Sequence, residues 1–148
     1  MSEKIVYQEQ QQLLVNEIIK IPPNKPAVKE IITARIVARI TDQEALQHCT
    51  LLQGAANITI FYLSHIIPLE TMQTQMDFSY KLPIKDLRPE DQVKTKLRVE
   101  DFQLVLLNTT TIEIKIIFLL QNKIINLYPP AIPRVNKDFL WTSAYYLS

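Results

Sequence analysis

Glycine and cysteine are almost absent from this chain: among 148 residues, Gly54 and Cys49 are the single example of each. Average usage would give about ten glycines. One glycine cannot build a glycine-rich phosphate loop, and one cysteine excludes an intramolecular disulfide and a cysteine-based zinc site. We expect Cys49 to be a small buried or half-buried thiol, while an intermolecular disulfide stays open.

Charge of either sign is not in excess, since sixteen basic and fifteen acidic residues leave a net charge of +1. This balance gives no indication of a nucleic-acid partner or of an anionic membrane surface. The start of the chain, MSEKIVYQEQQQ, lacks the apolar segment of a secretory signal, and no apolar run is long enough to span a membrane. We therefore expect synthesis in a cytoplasm without a signal peptide, and no membrane contact.

The most basic stretch, LRPEDQVKTKLR at residues 87–98, contains Arg88, Lys94, Lys96 and Arg98. Acidic residues are interspersed and no aromatic residue accompanies them. The stretch predicts a weak basic patch and is not typical of a nucleic-acid interface.

Residues that carry out catalysis or bind metals are sparse as well. His48 and His65 have no second ligand at metal spacing, so we expect ordinary surface or loop positions for both. No GxSxG, HExxH or CxxC motif occurs. Neighbouring carboxylates fall at predicted turns or strand ends, where solvated charges are expected rather than a catalytic dyad. These pairs are Asp42 with Glu44, Glu90 with Asp91, and Glu100 with Asp101. The sequence predicts no enzyme, no metal site and no cofactor.

The most regular pattern is TTTIEIKIIFLL at residues 109–120, in which every second residue from Ile112 to Leu120 is apolar. The alternation has a period of two, and β-branched residues dominate it, which favours a strand over a helix. The opposite face begins with Thr111, Glu113 and Lys115 and turns apolar afterwards. We predict the central strand of an all-β domain, polar on one face at its start and covered on both faces at its end.

Similar alternation predicts further strands, and together they form an antiparallel β-sandwich of about seven to nine strands. Gly54 is predicted to interrupt the strand pattern as a bulge or a tight turn, with 46–53 and 56–64 forming a hairpin. Residues 42–44 are predicted to form a turn. A helix over 9–19 and a helical turn over 27–32 stay open, and 123–127 either extend the sheet or begin a tail. The predicted strands cover residues 13–21, 32–41, 46–53, 56–64, 73–82, 92–99, 102–107, 111–120 and 123–127.

The two ends of the chain are predicted to lie outside the sandwich, which covers residues 11–127. Residues 1–10 are expected to form a polar arm with one apolar island, and residues 128–148 a Pro-rich and aromatic extension. The aromatic end either caps its own sandwich or adds to the sheet edge of another subunit. The candidate assembly residues are Ile5, Val6, Tyr7, Phe139, Leu140, Trp141, Tyr145 and Tyr146.

The order of segments from about residue 11 to 127 resembles the SPOCS domain family of spore-coat and spore-envelope proteins in endospore-forming Firmicutes. IKIPPNKPAVKEII and ITARIVARITDQEA resemble its first strand, Pro-containing segment and next long strand. LLQGAANITIFYL is similar to its most recognisable part, with Gly54 entering an alternating strand that closes with Tyr62. FSYKLPI and VKTKLRVEDFQLVLLNTTTIEIKIIFLL resemble the remaining strands. Members often have a further glycine between the strands spanning 41–50, which this chain lacks.

The resemblance implies an all-β, non-catalytic protein with a structural or scaffolding part in the spore envelope. It implies deposition on the spore surface after synthesis in the mother cell. Together with two apolar termini, it predicts a subunit that self-assembles into a spore coat, exosporium or surface fibre and contacts other envelope proteins. Two alternatives stay open: a monomeric adaptor for one morphogenetic partner, and a carbohydrate-binding sandwich with Trp141, Tyr145 and Tyr146 as a stacking platform.

Overall fold

A computed structural model describes residues 3–128, with side chains from 6 to 126, and contains strands and no helix in that range. Every strand is long, and every pairing is antiparallel. The strands are β1 (Glu3–Lys20), β2 (Glu30–Leu46), β3 (Cys49–Leu63), β4 (Glu70–Pro83), β5 (Gln92–Asn108) and β6 (Thr111–Tyr128).

Two three-stranded sheets make up the molecule, one in the order β1-β6-β5 and one in the order β2-β3-β4. Their apolar faces share one core, and β2 approaches β5 across the gap between the sheets. The predicted all-β, sandwich-like class is confirmed. The described chain has six strands, fewer than the seven to nine predicted, because several predicted breaks lie inside strands.

Gly54 is the clearest example, since it lies within β3 and pairs with Ile40 on one side and Phe78 on the other. The predicted hairpin around it is wrong. Instead, β3 runs without interruption from Cys49 to Leu63. The irregularity is in the neighbouring strand, where the register shifts between Ile40 and Asp42.

The turn predicted at residues 42–44 is also wrong, because β2 continues to Leu46. The chain reverses at Gln47 and His48, and His48 has a φ of 64°. Asp42 and Glu44 are exposed, whereas Gln43 is half-buried and its amide donates to Thr95 and Thr50, so none of these polar residues needs a turn. The strands predicted over 92–99 and 102–107 are one strand, β5, with a register shift between Val99 and Asp101.

At the N-terminus, residues 3–10 form the first half of β1 and pair with β6, so they are not the separate arm that the sequence predicts. The helix left open over 9–19 is a strand. The helical turn left open over 27–32 is extended chain leading into β2. Residues 123–127 extend β6, which gives β1 a partner along its whole length.

β6 is the middle strand of its sheet, as predicted for residues 109–120. Its apolar face, from Ile112 to Leu120, is completely buried against the other sheet. On the opposite face, Ile117 and Leu119 are only half-buried. The prediction that both faces are covered is therefore wrong, because no described element packs on the outward side of this sheet.

Aromatic side chains join the two sheets. The rings of Phe78 from β4 and Phe118 from β6 stack with their centroids 5.4 Å apart. Tyr62 is fully buried, and its hydroxyl donates to the Pro26 carbonyl at 2.9 Å, which fixes the loop between β1 and β2. Burial raises the pKa of Tyr62, and the nearby Glu70 carboxylate adds to this effect.

One end of the interior is polar. The Gln43 amide donates to Thr95 Oγ1 at 2.7 Å, and Thr95 Oγ1 donates to Asn122 Oδ1 at 2.6 Å. The same Gln43 amide donates to buried Thr50 at 3.3 Å. Because Gln43 and Thr50 belong to one sheet and Thr95 and Asn122 to the other, this network ties the two sheets together.

Candidate assembly surface

The predicted N-terminal island does not form a single apolar surface. Ile5, Val6 and Tyr7 pair with Asn126, Ile125 and Ile124 of β6. Val6 projects outward and is 48% exposed, whereas Tyr7 lies on the side that faces the core. The structure does not describe the Ile5 side chain.

Tyr7 is held within its own chain. Oriented to satisfy both neighbours, the Asn126 amide accepts from the Tyr7 hydroxyl at 2.6 Å and donates to the Asp91 carboxylate at 2.6 and 2.7 Å. Asp91 has a fully buried side chain and also accepts from Arg88 Nη2 at 2.7 Å. This network fastens β1 to β6 and to the loop before β5 through the Tyr7 hydroxyl. Tyr7 is 44% exposed, and its assignment to an assembly surface stays a prediction.

The other candidate assembly residues lie outside the described residues. They are Phe139, Leu140, Trp141, Tyr145 and Tyr146. Their assignment stays a prediction.

β1 is an edge strand, since its neighbour in the sheet is β6 and the described chain places no strand on its other side. Its 18 residues present a long row of backbone groups along that edge. Edges of this kind are templates for pairing with another chain unless something covers them. One short contact connects this edge with the other sheet: the Gln11 amide of β1 donates to the Pro83 carbonyl of β4 at 2.6 Å.

The outward face of this edge strand is apolar at its C-terminal half. Leu14 is 63% exposed and Ile18 is 48% exposed. Leu14 lies directly opposite half-buried Ile117 of β6, so their side chains share the outward face. We call Leu14, Ile18 and Ile117 the outer patch. It can bind another apolar surface next to a strand edge that is free to pair.

Sequence reasoning missed the outer patch for a physical reason. In LLVNEIIKI, apolar residues occupy both odd-numbered and even-numbered positions, so the sequence does not show which side of the strand is buried. Val15 and Ile19 are buried in the core, and the even-numbered Leu14 and Ile18 are therefore outward. Two-sided apolarity on a strand at a sheet edge is the signal that would have identified the patch.

A second apolar group is on the loop between β3 and β4. Ile66 is 82% exposed and Leu69 is 55% exposed. The loop is ordered by Ser64, whose hydroxyl accepts from the Ile66 and Ile67 backbone amides at 3.1 and 2.7 Å. The loop therefore holds its apolar tip in solvent in a defined conformation.

The remaining predicted positions are ordinary. His48 and His65 are exposed in a turn and a loop, and Cys49 is half-buried, as predicted. Residues 3–128 contain no group of three or more His, Cys, Asp or Glu side chains that could hold a metal ion. In the same range, no helix is long and apolar enough to cross a membrane.

The fold and this surface define a class: a small all-β sandwich domain in which, among residues 3–128, an edge strand without a second partner lies beside exposed apolar side chains. The family model described as "SipL, SPOCS domain" matches residues 27–107, more than half of the chain. The chain belongs to this family, as the resemblance predicts, and is thereby sporulation-related. Comparison with curated proteins and with solved structures found no match.

The matched segment contains β2 to β5, whereas β1 and β6 lie outside it. β5 pairs with β6 in the structure, and β6 supplies five completely buried residues of the core. The folded unit therefore extends beyond the matched segment on both sides.

Proposed function

We propose that this chain is a non-enzymatic structural protein that self-associates and is deposited on the spore surface, in a coat, an exosporium or a surface fibre. The observation that carries the proposal is the outer patch on a free edge strand. Membership of the SPOCS domain family supplies the sporulation context.

Self-association through β1 satisfies two physical requirements in one contact. A second copy that pairs along the free edge satisfies backbone N–H and C=O groups. The same contact removes exposed apolar side chains such as Leu14 and Ile18 from water. Edge-to-edge pairing of this kind extends the sheet, and repeated contacts on different surfaces produce rings, sheets or filaments.

The C-terminal residues 128–148 are proposed as a second means of contact. Tyr and Trp are typical interface anchors, and residues 139–146 contain Trp141, Tyr145 and Tyr146. Deleting residues 138–148 tests this part of the proposal. A smaller particle with an unchanged melting temperature supports docking on another subunit, whereas an unchanged particle with a lower melting temperature assigns the tail to its own sandwich.

The main experiment is sedimentation velocity of the full-length chain and of the variant Leu14→Ser/Ile18→Ser, followed by negative-stain microscopy. Because both side chains are exposed, we expect the variant to fold with little loss of stability. It should sediment as a smaller species than the parent chain. The images of the parent chain distinguish rings, sheets and filaments.

The matched control is Val37→Ser. Val37 is 57% exposed and projects outward from β2, which is an edge strand of the other sheet. This substitution should leave the sedimentation coefficient unchanged. A monomeric parent chain over the whole concentration range, or an equal effect of both variants, would remove the proposal.

A monomeric adaptor that docks one morphogenetic partner is the second candidate, favoured by the ordered loop that exposes Ile66. A monomeric parent chain whose partner binding is lost in Ile66→Ser would select it. The carbohydrate-binding alternative rests on Trp141, Tyr145 and Tyr146. A glycan array without bound chain would remove that alternative.

A further inference from the structure

A row of basic side chains lies on the outward side of the β1-β6-β5 sheet. Lys94, Lys96 and Arg98 occupy alternate positions of β5, so all three project to the same side, and all three are exposed. Lys123 of β6 is also exposed and lies directly opposite Lys94. We call these four residues the basic face.

Three glutamines lie next to the basic face. Gln121 lies opposite Lys96 on one side and Gln10 of β1 on the other, and Gln8 lies opposite Lys123. These residues, together with Glu9, Thr95 and Asn122 from the same three strands, line a concavity of about 800 Å³. The Glu9 carboxylate accepts from the Gln11 amide at 3.1 Å. Glu100, in the β5 register shift two residues beyond Arg98, is exposed, and its carboxylate accepts from the Gln12 amide at 2.8 Å.

The fold separates the basic residues from the acids that surround them in the sequence. Asp91 is buried with Arg88, and Glu90 lies in the loop before β5, with its carboxylate 4.0 Å from Arg88. Thr95 and Leu97 face the core. Glu90 and Asp91, the acids within residues 87–98, are therefore outside the basic face, whereas Glu100 lies on the outward side beyond Arg98.

The basic face is electrostatically unfavourable in isolation. Among residues 3–128, none of its four side chains forms an ion pair. Lys94 and Lys123 are like charges in directly opposite positions, an arrangement that destabilises an antiparallel pair. An anionic partner would remove this repulsion, which is why the arrangement points to a ligand.

We propose that the basic face binds an extended acidic segment of a partner protein, with carboxylates at alternate positions. Such a segment places its carboxylates about 6.6–6.8 Å apart, which is the spacing of alternate residues along β5. The glutamine amides offer donors and acceptors to the backbone of the segment. The face contains no aromatic side chain on which nucleic-acid bases could stack, which favours a peptide. This binding does not depend on self-association through the outer patch.

The test measures fluorescence anisotropy of a labelled peptide of about ten residues that alternates Glu and Ser. Full-length chain should bind it saturably, with affinity that falls as salt is added, because the contacts are exposed. The variant Lys94→Gln/Lys96→Gln should bind at least about tenfold more weakly while keeping its melting temperature and its sedimentation coefficient. The sedimentation result separates this proposal from self-association.

The matched control is Arg35→Gln/Arg39→Gln. Both arginines are exposed and project to the same side of an edge strand, four residues apart with Val37 between them. Their substitution removes the same net charge as that of the two lysines. Arg35 also lines a concavity, of about 550 Å³. Peptide binding should be unchanged in this control. An equal loss in both double variants would mean that net charge alone drives binding, and would overturn the proposal.

Two further probes test the class of partner. Single-stranded oligothymidine or vesicles containing phosphatidylglycerol should bind more weakly than the acidic peptide. Tighter binding of either probe would reassign the face to a nucleic acid or to an anionic membrane. Absence of saturable peptide binding at low salt would overturn the proposal outright.

Discussion

Gly54 and Phe78 face each other across β3 and β4 with no space for a methyl group between them. A Cβ atom on Gly54 would lie 2.3 Å from Phe78 Cζ and 2.8 Å from the Arg39 carbonyl oxygen. The Phe78 ring lies over the bare backbone and continues to Phe118 of the other sheet. Gly54 therefore provides room for an aromatic contact between the sheets.

Gly54→Ala is expected to destabilise the fold by about 1–3 kcal/mol, because the ring and a backbone carbonyl must both move. The measurement is the free energy of unfolding in urea. Gly54→Ala/Phe78→Leu should be less destabilised than the sum of the two single variants, since Leu lacks the clashing ring atoms. Simple additivity of the two changes would contradict this explanation.

This pair also explains why the sequence predicts the strands better than their ends. Alternation is a local property, and it correctly assigns Ile112 to Leu120 to the buried face of a central strand. Gly54 is equally compatible with a turn, a bulge or a close side-chain contact. Only the position of Phe78 in the neighbouring strand decides between them, and that position depends on the register.

The candidate surfaces were hidden for the same reason. The outward orientation of Leu14 and Lys94 follows from the pairing with β6, which shows whether the odd-numbered or even-numbered residues of each strand face the core. The predicted apolar island at Ile5 to Tyr7 lies within the edge strand, where Val6 is outward and Tyr7 is on the side that faces the core. Local composition located apolar and basic segments, and the sheet determined which side of each is exposed.

Asp91→Asn is expected to destabilise the chain by about 1–3 kcal/mol, because Asp91 accepts hydrogen bonds from Arg88 and, with the amide oriented as above, from Asn126 in a buried site. The amide N–H groups of an asparagine at this position would face the N–H donors of Arg88 and Asn126. Thermal unfolding should show a lower melting temperature, and hydrogen exchange should accelerate in the N-terminal half of β1. Asp86→Asn is the control, since Asp86 is exposed and its φ of 64° suits Asn. Equal melting temperatures of Asp91→Asn and Asp86→Asn would contradict a stabilising role for the Asp91 hydrogen bonds.

The stability of the fold should depend on pH through Glu70. A hydrogen bond from the Thr71 backbone amide at 2.9 Å, followed by Lys25, lowers the pKa of Glu70. The folded state therefore favours the carboxylate, and this stabilisation is complete above the ordinary pKa of a glutamate. It is lost as the pH falls through the lowered folded value.

Glu70→Gln should thus be less stable than the parent chain at neutral pH, and the difference should shrink on acidification. Urea unfolding midpoints at neutral and acidic pH measure it. Lys25→Met should reduce the same difference in part, because Lys25 Nζ lies 3.4 Å from Glu70 Oε1. A stability difference between Glu70→Gln and the parent chain that increases at acidic pH would contradict a lowered pKa of Glu70.

Thr95→Val removes the hydroxyl that connects the two sheets. Asn122 is 1% exposed, and its Nδ2 has no protein partner, so its Oδ1 depends on the 2.6 Å bond from Thr95. A buried acceptor left without a donor costs about 1–3 kcal/mol. Thr95→Ser keeps the hydroxyl and should retain most of the stability.

The combination Thr95→Val/Asn122→Leu distinguishes a hydrogen-bond effect from a packing effect. Replacing both partners removes the unsatisfied amide, and the Gln43 amide keeps its bond to Thr50 at 3.3 Å. Because the penalty arises from the amide left behind, the double variant should be more stable than Thr95→Val alone. A double variant that is less stable than either single one would mean that shape, rather than the polar contact, holds the sheets together at this end.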